Sequence, residues 1–131
     1  MPKKYVMYCC ENSAALAADN ISDPELARAF DIVRLPCSGR IESTLILKTL
    51  ERSYDGVIVL GCPEDNCKFV IGNKLAANRV RFVRDILTGA SLDGSLVDMD
   101  YVSSVDTHKV VRIMRRMIER DRATIPAEIK E

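Results

Sequence analysis

The sequence predicts an α/β protein with a single domain, built on a mostly parallel four-stranded sheet with helices on both faces. Two observations support this fold class. Short apolar runs of strand length alternate with longer stretches of helical period along the chain, and this rhythm is typical of crossover connections between parallel strands. The chain also has 131 residues, of which 47% are hydrophobic, and this suits one hydrophobic core.

The first part of the chain contains two predicted strands and two predicted helices. Residues 3–8 form the first strand-like run. Ser13–Asn20 is rich in small helix-forming residues, with Ser13 or the residue before it suited to the N-cap. Asp23-Pro24-Glu25 combines a capping residue with a proline at the first helical position, and Ile32–Leu35 follows as the second strand.

The second part of the chain repeats this alternation. Ile41–Leu50 has residues at helical spacing. Val57–Leu60 is wholly apolar, as is typical of a parallel strand that is buried on both faces. Lys74–Leu87 carries an apolar stripe, Leu96–Val102 is the fourth strand, and Asp106–Arg122 is an amphipathic final helix.

We expect residues 1–122 to form the folded domain and residues 123–131 to form a C-terminal tail. This order of elements is that of flavodoxin-like and Rossmann-like folds, in which functional groups lie outside the carboxyl ends of the strands. No signal peptide is recognisable, and no apolar run approaches the ~20 residues of a membrane span. The formal net charge of +0 argues against nucleic acid or an anionic membrane as a partner. We therefore expect a cytoplasmic protein.

Five cysteines follow three of the predicted strands. Cys9 and Cys10 follow the first strand, Cys37 follows the second, and Cys62 and Cys67 follow the third. Because the carboxyl ends of parallel strands share one edge of a sheet, we expect these distant thiols to converge there. In a reducing compartment such thiols favour metal or redox chemistry over disulfides, and an odd number fits a disulfide framework badly.

Four thiolates at one edge are suited to a structural Zn²⁺ or to an iron–sulfur cluster. Zinc sites usually draw their ligands from two short cysteine pairs, whereas here only Cys62 and Cys67 form such a pair and Cys37 stands alone. A plant-type cluster also uses a four-residue gap, but its third neighbouring ligand is missing. Spacing alone therefore favours neither metal. Free cysteine packs as a small hydrophobe, and Cys9 is the best candidate for an ordinary core residue because it ends an apolar strand.

Three catalytic uses of the thiols find no support in the sequence. No cysteine has an arginine six residues after it, as a cysteine-dependent phosphatase requires to bind the phosphoryl oxygens. No pair has the C-x-x-C spacing of a thioredoxin-type dithiol. A Cys–His hydrolase needs a histidine beside its thiol, and the single histidine, His108, lies near the start of the last helix. We expect His108 to be a surface or capping residue.

One long segment carries a specific resemblance to a known family. It spans Cys37–Arg79 and reads CSGRIESTLILKTLERSYDGVIVLGCPEDNCKFVIGNKLAANR. Its blocks Cys37–Arg40 and Asp55–Cys62, followed by Cys67 and the Gly72-Asn73 pair, resemble in this order the delta-subunit family of methyl-viologen-reducing hydrogenase. The N-terminal YCCENSA is similar to the opening cysteine block of the same family, so that the resemblance covers roughly residues 5–120.

The resemblance implies an electron-transfer subunit with a [2Fe–2S] cluster rather than an enzyme in its own right. Members of the family relay electrons between a hydrogenase or formate dehydrogenase module and heterodisulfide reductase, whose large subunit carries the flavin. The ligands that the resemblance implies are Cys10, Cys37, Cys62 and Cys67, with Cys9 as the substitute.

Residues beside the thiols are suited to supporting roles at such a cluster. Gly39 and Gly61 let the backbone turn and approach closely, and Arg40 and Lys68 offset the negative charge of a thiolate-bound cluster. The chain departs from the family at Ser13, where many members have a further cysteine. Two other hypotheses stay open, namely a zinc-stabilised structural adaptor without a redox role and a metal-free α/β module with incidental thiols.

Overall fold

The computed structural model describes residues 4–11, 13–36, 41–51, 54–61, 72–90 and 96–129. The strands of this part of the chain are β1 (Tyr5–Cys10), β2 (Phe30–Leu35), β3 (Gly56–Gly61) and β4 (Val97–Tyr101). They form one parallel sheet in the order β2-β1-β3-β4. The predicted α/β fold is confirmed, and the described sheet is parallel throughout.

Helices cover both faces of this sheet. They are α1 (Ala14–Ala18), α2 (Pro24–Ala29), α3 (Ser43–Glu51), α4 (Gly72–Gly89) and α5 (Thr107–Ile129). Helices α1, α2 and α5 pack on one side, here named the α1/α5 face, and α3 and α4 pack on the other, here named the α3/α4 face. Within the described ranges, no helix combines the length and the apolar character needed to cross a membrane.

Strand β1 lies inside the sheet and is buried on both sides. Tyr5 and Met7 belong to the hydrophobic cluster on the α1/α5 face, and the Tyr5 ring stacks on Phe30 with ring centroids 5.0 Å apart. Val6 and Tyr8 belong to the cluster on the α3/α4 face. This alternation is the two-residue period of a strand, and burial on both faces explains why the inner strands are apolar.

The apolar stripes predicted for the two long helices are confirmed. Their buried residues include Ala76, Val80, Val83 and Leu87 of α4, and Val110, Met114, Met117 and Ile118 of α5. Full burial of one of the larger aliphatic side chains stabilises the folded state by about 1.5–3 kcal/mol relative to its exposure. These stripes therefore hold α4 and α5 on opposite faces of the sheet.

The N-cap predicted for α2 is confirmed. The Asp23 carboxylate accepts a hydrogen bond from Glu25 N–H at 2.9 Å, and Pro24 lies in the first turn. The same carboxylate pairs with Arg115 of α5. The cap of this short helix therefore also attaches α2 to α5 across the α1/α5 face.

Several element boundaries differ from the sequence prediction. Strand β1 runs over Tyr5–Cys10 rather than over residues 3–8, so Cys9 and Cys10 lie at its carboxyl end and do not follow it as predicted. Strand β2 begins at Phe30 rather than at Ile32, because α2 ends at Ala29 and leads directly into it. Helix α5 continues to Ile129, past the predicted end at Arg122. The division into a domain of residues 1–122 and a tail of residues 123–131 stays a prediction.

Candidate metal site at the carboxyl edge of the sheet

The carboxyl ends of the described strands lie together at one edge of the sheet, here named the carboxyl edge. Cys10 at the end of β1 aligns with Leu35 at the end of β2. Gly61 at the end of β3 aligns with Tyr101 at the end of β4. Backbone pairing continues beyond the strand ends, because Glu11 N–H donates to Leu35 O at 2.7 Å. Residues that directly follow these strands therefore start from neighbouring positions.

The strand order creates a topological switch between β1 and β3. After β1 the chain passes to α1 on the α1/α5 face, whereas after β3 it passes to α4 on the α3/α4 face. In open α/β sheets, connections that leave adjacent strands in opposite directions typically form a crevice outside the carboxyl ends of those strands. Ligands of open α/β sheets usually bind in such a crevice.

Cys9 lies on the α1/α5 face. It is fully buried and belongs to the same hydrophobic cluster as Met7 of β1 and Ala14 of α1. Burial raises the pKa of the Cys9 thiol to about 12, and the positive charge of Arg34 offsets only part of this increase. The expectation that Cys9 packs as a core residue is confirmed, and its thiol is protonated at neutral pH.

Cys10 points to the α3/α4 face, because side chains alternate along β1. It is 1% exposed. The connections that follow β2 and β3 lead to α3 and α4, which are the helices of that face. Cys10 therefore lies on the side of the sheet to which those two connections run. No disulfide bond joins Cys9 or Cys10 to another described residue.

Ser13 lies beside Cys10 and contacts its backbone. Its N–H donates to Cys10 O at 3.3 Å, and it occupies the N-cap of α1. Its hydroxyl makes no cap bond and has no hydrogen-bond partner in the part of the chain that the structure describes, although the residue is only 4% exposed. A buried hydroxyl without a partner costs about 1–3 kcal/mol. An acceptor outside the described residues, such as a cluster-bound sulfur, would satisfy it, so this hydroxyl is compatible with an iron–sulfur cluster near Cys10.

The remaining residues of the predicted site fall into two groups. Gly61 is described: it is buried, and its carbonyl accepts a hydrogen bond from Val102 N–H at 2.8 Å. The others lie outside the described residues, so their roles stay predictions: Cys37, Gly39, Arg40, Cys62, Cys67 and Lys68. Among the described residues, no three His, Cys, Asp or Glu side chains form a group that could hold a metal ion. His108 is exposed at the start of α5, as expected of a surface residue.

The buried Ser13 hydroxyl is the feature of this edge that sequence reasoning missed. The sequence presents Ser13 only as a helix cap or as a replaced ligand. A signal was present in the sequence, because the residues that follow, Ala14–Ala18, are almost all alanine. A helix of small residues packs closely against its sheet, and close packing buries the polar residue at its start.

The fold and this edge define a single-domain α/β protein with a buried thiol at the topological switch of a parallel sheet. The sequence model of the family described as "Methyl-viologen-reducing hydrogenase, delta subunit" matches residues 5–123. The chain belongs to this family, and the resemblance noted from its cysteine blocks is confirmed.

Individual relatives agree with this assignment. The vhu iron–sulfur subunit of the F420-non-reducing hydrogenase of Methanocaldococcus jannaschii is 30% identical over 127 residues, which cover 95% of each chain. The corresponding vhc iron–sulfur subunit of Methanococcus voltae is 28% identical over 130 residues, covering 98% of this chain and 90% of the relative. One subunit of the ferredoxin:CoB-CoM heterodisulfide reductase of Methanosarcina mazei is 31% identical over 75 residues, covering 57% of this chain and 10% of that protein. The chain is thus similar to whole hydrogenase subunits and to a short part of a heterodisulfide reductase subunit.

Proposed function

We propose that this protein is an electron-transfer subunit that holds a [2Fe–2S] cluster at the carboxyl edge. It relays electrons between a hydrogenase or formate dehydrogenase module and the flavin-containing subunit of a heterodisulfide reductase or a related complex in the cytoplasm. The observation that carries the proposal is the position of Cys10, at the carboxyl end of an inner strand and on the face to which the connections after β2 and β3 run.

The proposed ligands are Cys10, Cys37, Cys62 and Cys67, and covalent connectivity supports their convergence. Each peptide step spans about 3.8 Å. Cys62 is one step from Gly61 at the end of β3, and Cys37 is two steps from Leu35 at the end of β2. The aligned ends of β1 and β2 are adjacent in the sheet, as are those of β1 and β3.

The choice of Cys10 over Cys9 follows from the pleat of β1. Cys9 is enclosed by the hydrophobic cluster on the α1/α5 face, where no connection that carries another proposed ligand begins. Cys10 faces the side on which the chain enters α3 and α4. The alternating direction of side chains thus gives these neighbouring thiols different roles, one packing the core and one binding metal.

The polar groups around the thiols would stabilise the negative charge of a thiolate-bound cluster. Arg40 and Lys68 supply positive charge in this proposal, and Gly39 and Gly61 let the backbone approach. The Ser13 hydroxyl, which lacks a partner among the described residues, is a donor available to a sulfur atom. Hydrogen bonds to the sulfurs and solvent exposure are the means by which a protein sets the reduction potential of such a cluster. When bound, the cluster would supply one-electron redox chemistry.

The partners are inferred from the relatives. The matching subunits of F420-non-reducing hydrogenases are called iron–sulfur subunits, and the similarity to part of a heterodisulfide reductase supports an assembly of this kind. A cluster at the carboxyl edge can pass electrons to a partner efficiently only if that partner covers the carboxyl edge. We therefore assign the carboxyl edge as the contact with the flavin-containing subunit.

Metal analysis of the anaerobically purified chain tests the proposal. We expect iron and acid-labile sulfide in equal amounts, about two of each per chain, with the absorbance of an iron–sulfur protein. Replacing Cys37, Cys62 or Cys67 by serine is expected to remove most of the iron, with circular dichroism used to check that each variant folds. One zinc without sulfide would instead indicate a structural adaptor, and the absence of any metal would indicate a module with incidental thiols. Either result overturns the proposal.

A further inference from the structure

The outward edge of β4 is closed by its own side chains. Val102 N–H donates to Gly61 O of β3. In a parallel ladder, the backbone N–H and C=O groups of successive residues point alternately toward and away from the neighbouring strand. The backbone groups of Met99 and Tyr101 therefore point away from the sheet. Met99 N–H donates to the Asp98 carboxylate at 2.9 Å, and Tyr101 N–H donates to the Asp100 carboxylate at 2.8 Å. Both N–H groups that an added strand would use in this stretch are therefore already bonded.

Helix α5 fixes these carboxylates at the edge. Arg116 donates to Asp98 at 3.1 Å, and Lys109 Nζ lies 3.4 Å from the Asp100 carboxylate. Lys109 also donates to Tyr101 O at 2.6 Å. Charged side chains thus occupy the position in which another strand would pair, and this is a common protection of edge strands.

The opposite edge, β2, differs because no side chain of the described residues bonds to its outward backbone groups. Glu11 N–H donates to Leu35 O, so the backbone groups of Leu35 point toward β1. Because this direction alternates along a strand, the N–H and C=O groups of Ile32 and Arg34 point outward. These backbone groups have no hydrogen-bond partner within the described ranges. The strand contains no proline and pairs with β1 in continuous register, without a bulge.

The side chains of β2 are also suited to pairing with another strand. Ile32 is 42% exposed and Val33 is 37% exposed, and because they are neighbours they lie on opposite faces of the sheet. The charged residues of the strand, Asp31 and Arg34, form ion pairs within the chain. Each face of this edge therefore carries one exposed apolar side chain beside a charged residue that is already paired. Within the described residues, the outward backbone groups of the strand are open.

We propose that β2 is a dimerisation edge, which pairs antiparallel with β2 of a second copy about a two-fold axis at Ile32. In this register the two Ile32 residues exchange both of their outward backbone hydrogen bonds. Asp31 lies opposite Val33 of the second copy, and Phe30 lies opposite Arg34, so no like charges are directly opposed. Because β2 carries one acidic and one basic residue, it does not favour an acidic or a basic partner. Such a surface can instead complement a second copy of itself about a two-fold axis.

This pairing leaves the carboxyl edges of both copies accessible. In an antiparallel pair, the two strands run in opposite directions, so the carboxyl edges lie at opposite ends of the joined sheet. Each copy can then present its own carboxyl edge to a separate partner protein. The dimer does not depend on the cluster, because no proposed ligand belongs to β2.

The oligomeric state of the intact chain tests this proposal. Light scattering after size exclusion and sedimentation equilibrium, over a range of micromolar concentrations, are expected to detect a dimer with or without bound metal. Ile32→Pro removes the outward N–H, which the monomer does not use, and proline is tolerated on edge strands. The substitution is expected to raise the dimer Kd by at least about tenfold. A chain that stays monomeric throughout, or a dimer that is insensitive to Ile32→Pro, overturns the proposal.

A matched pair of charge variants locates the contact independently. Val33 on β2 and Leu45 on α3 are both 37% exposed, so replacing either by lysine makes the same kind of change at the surface. Val33→Lys is expected to give a monomer, whereas Leu45→Lys is expected to leave the dimer intact. Equal sensitivity of the two positions would move the contact elsewhere and contradict pairing through β2. Thermal unfolding of each variant identifies any that fail to fold.

Discussion

Cys9 and Cys10 are adjacent in sequence and almost equally buried, at 0% and 1% exposure, yet they belong to different parts of the molecule. Cys9 is enclosed by the hydrophobic cluster between the sheet and helices α1 and α5. Cys10 lies on the other side, where the connections after β2 and β3 enter α3 and α4. Under the proposed function, the direction of the side chain, and not its burial, therefore distinguishes the core thiol from the ligand.

The same division extends along β1. Tyr5, Met7 and Cys9 pack on the α1/α5 face, and Val6 and Tyr8 pack on the α3/α4 face. Changes on the first face should affect folding without affecting metal binding per folded chain. Changes near the carboxyl end of the second face should affect both.

The largest effect on stability is expected from Met7→Ala. Met7 is fully buried on the face of Cys9, so truncation leaves a cavity and should lower the free energy of unfolding by about 2–5 kcal/mol. Denaturant titration measures this loss. The iron content per folded chain is expected to stay at the wild-type value, and a parallel loss of iron would contradict the separation of the two faces.

A smaller effect is expected from Tyr8→Phe on the face of Cys10. The Tyr8 hydroxyl lies 2.8 Å from Thr49 Oγ1, which itself donates to Leu45 O at 2.7 Å. Because Thr49 has only one hydroxyl proton, Tyr8 is the donor in their bond. Removing this buried donor should lower the free energy of unfolding by roughly 0.5–1.5 kcal/mol. Chemical denaturation checks the value, and an unchanged free energy of unfolding would contradict it.

Ser13→Ala tests the donor beside Cys10 under the proposed function. A hydrogen bond to sulfur favours the more negative, reduced form, so its removal should make the reduction potential more negative. A bond worth about 0.5–1.5 kcal/mol corresponds to a shift of roughly 20–60 mV for one electron. Redox titration of Ser13→Ala against the exposed Ser22→Ala control measures it. An unchanged potential in both variants would show that the Ser13 hydroxyl does not contact the cluster.

The smallest expected effect concerns acid stability. The hydrogen bond from Tyr54, at 2.6 Å, together with Lys4, holds the pKa of Asp31 below its ordinary value. A lowered pKa in the folded state stabilises the protein above the ordinary aspartate range, and this contribution is lost as the pH falls through the folded-state pKa. Tyr54→Phe should therefore reduce the difference in unfolding free energy between neutral and acid pH. Urea titrations at several pH values check this, and identical pH dependence in both proteins would contradict it.

The order of the elements was predictable because it depends on local patterns. Val57–Leu60 is apolar throughout, as a strand buried on both faces must be, and the stripe of Val80, Val83 and Leu87 has the helical period. The end of α5 was less predictable, because the stretch after Arg122 carries no continuing apolar stripe, although the helix runs to Ile129.

The tertiary details of the site and of the edges required the structure. The sequence identified Asp23 as a cap, because a capping bond is made within a few residues. The sequence did not indicate that Asp98 and Asp100 bond to the outward N–H groups of β4. Their position depends on ion pairs with Arg116 and Lys109 of α5, which are distant in sequence. The positions of the cysteines relative to the predicted strands predicted a shared edge, and the sequence already favoured Cys9 as a core residue. The structure adds the reason, because the pleat of β1 turns Cys9 and Cys10 to opposite faces.

The different roles of the two neighbouring thiols are tested most directly by comparing Cys9→Ser with Cys10→Ser. Both variants are purified anaerobically, and iron content and electron paramagnetic resonance of the reduced protein are measured for each. We predict that Cys9→Ser keeps the iron and the signal of the wild type, whereas Cys10→Ser loses most of both while remaining folded. Loss of the cluster in Cys9→Ser with retention in Cys10→Ser would contradict these roles, as would retention in both.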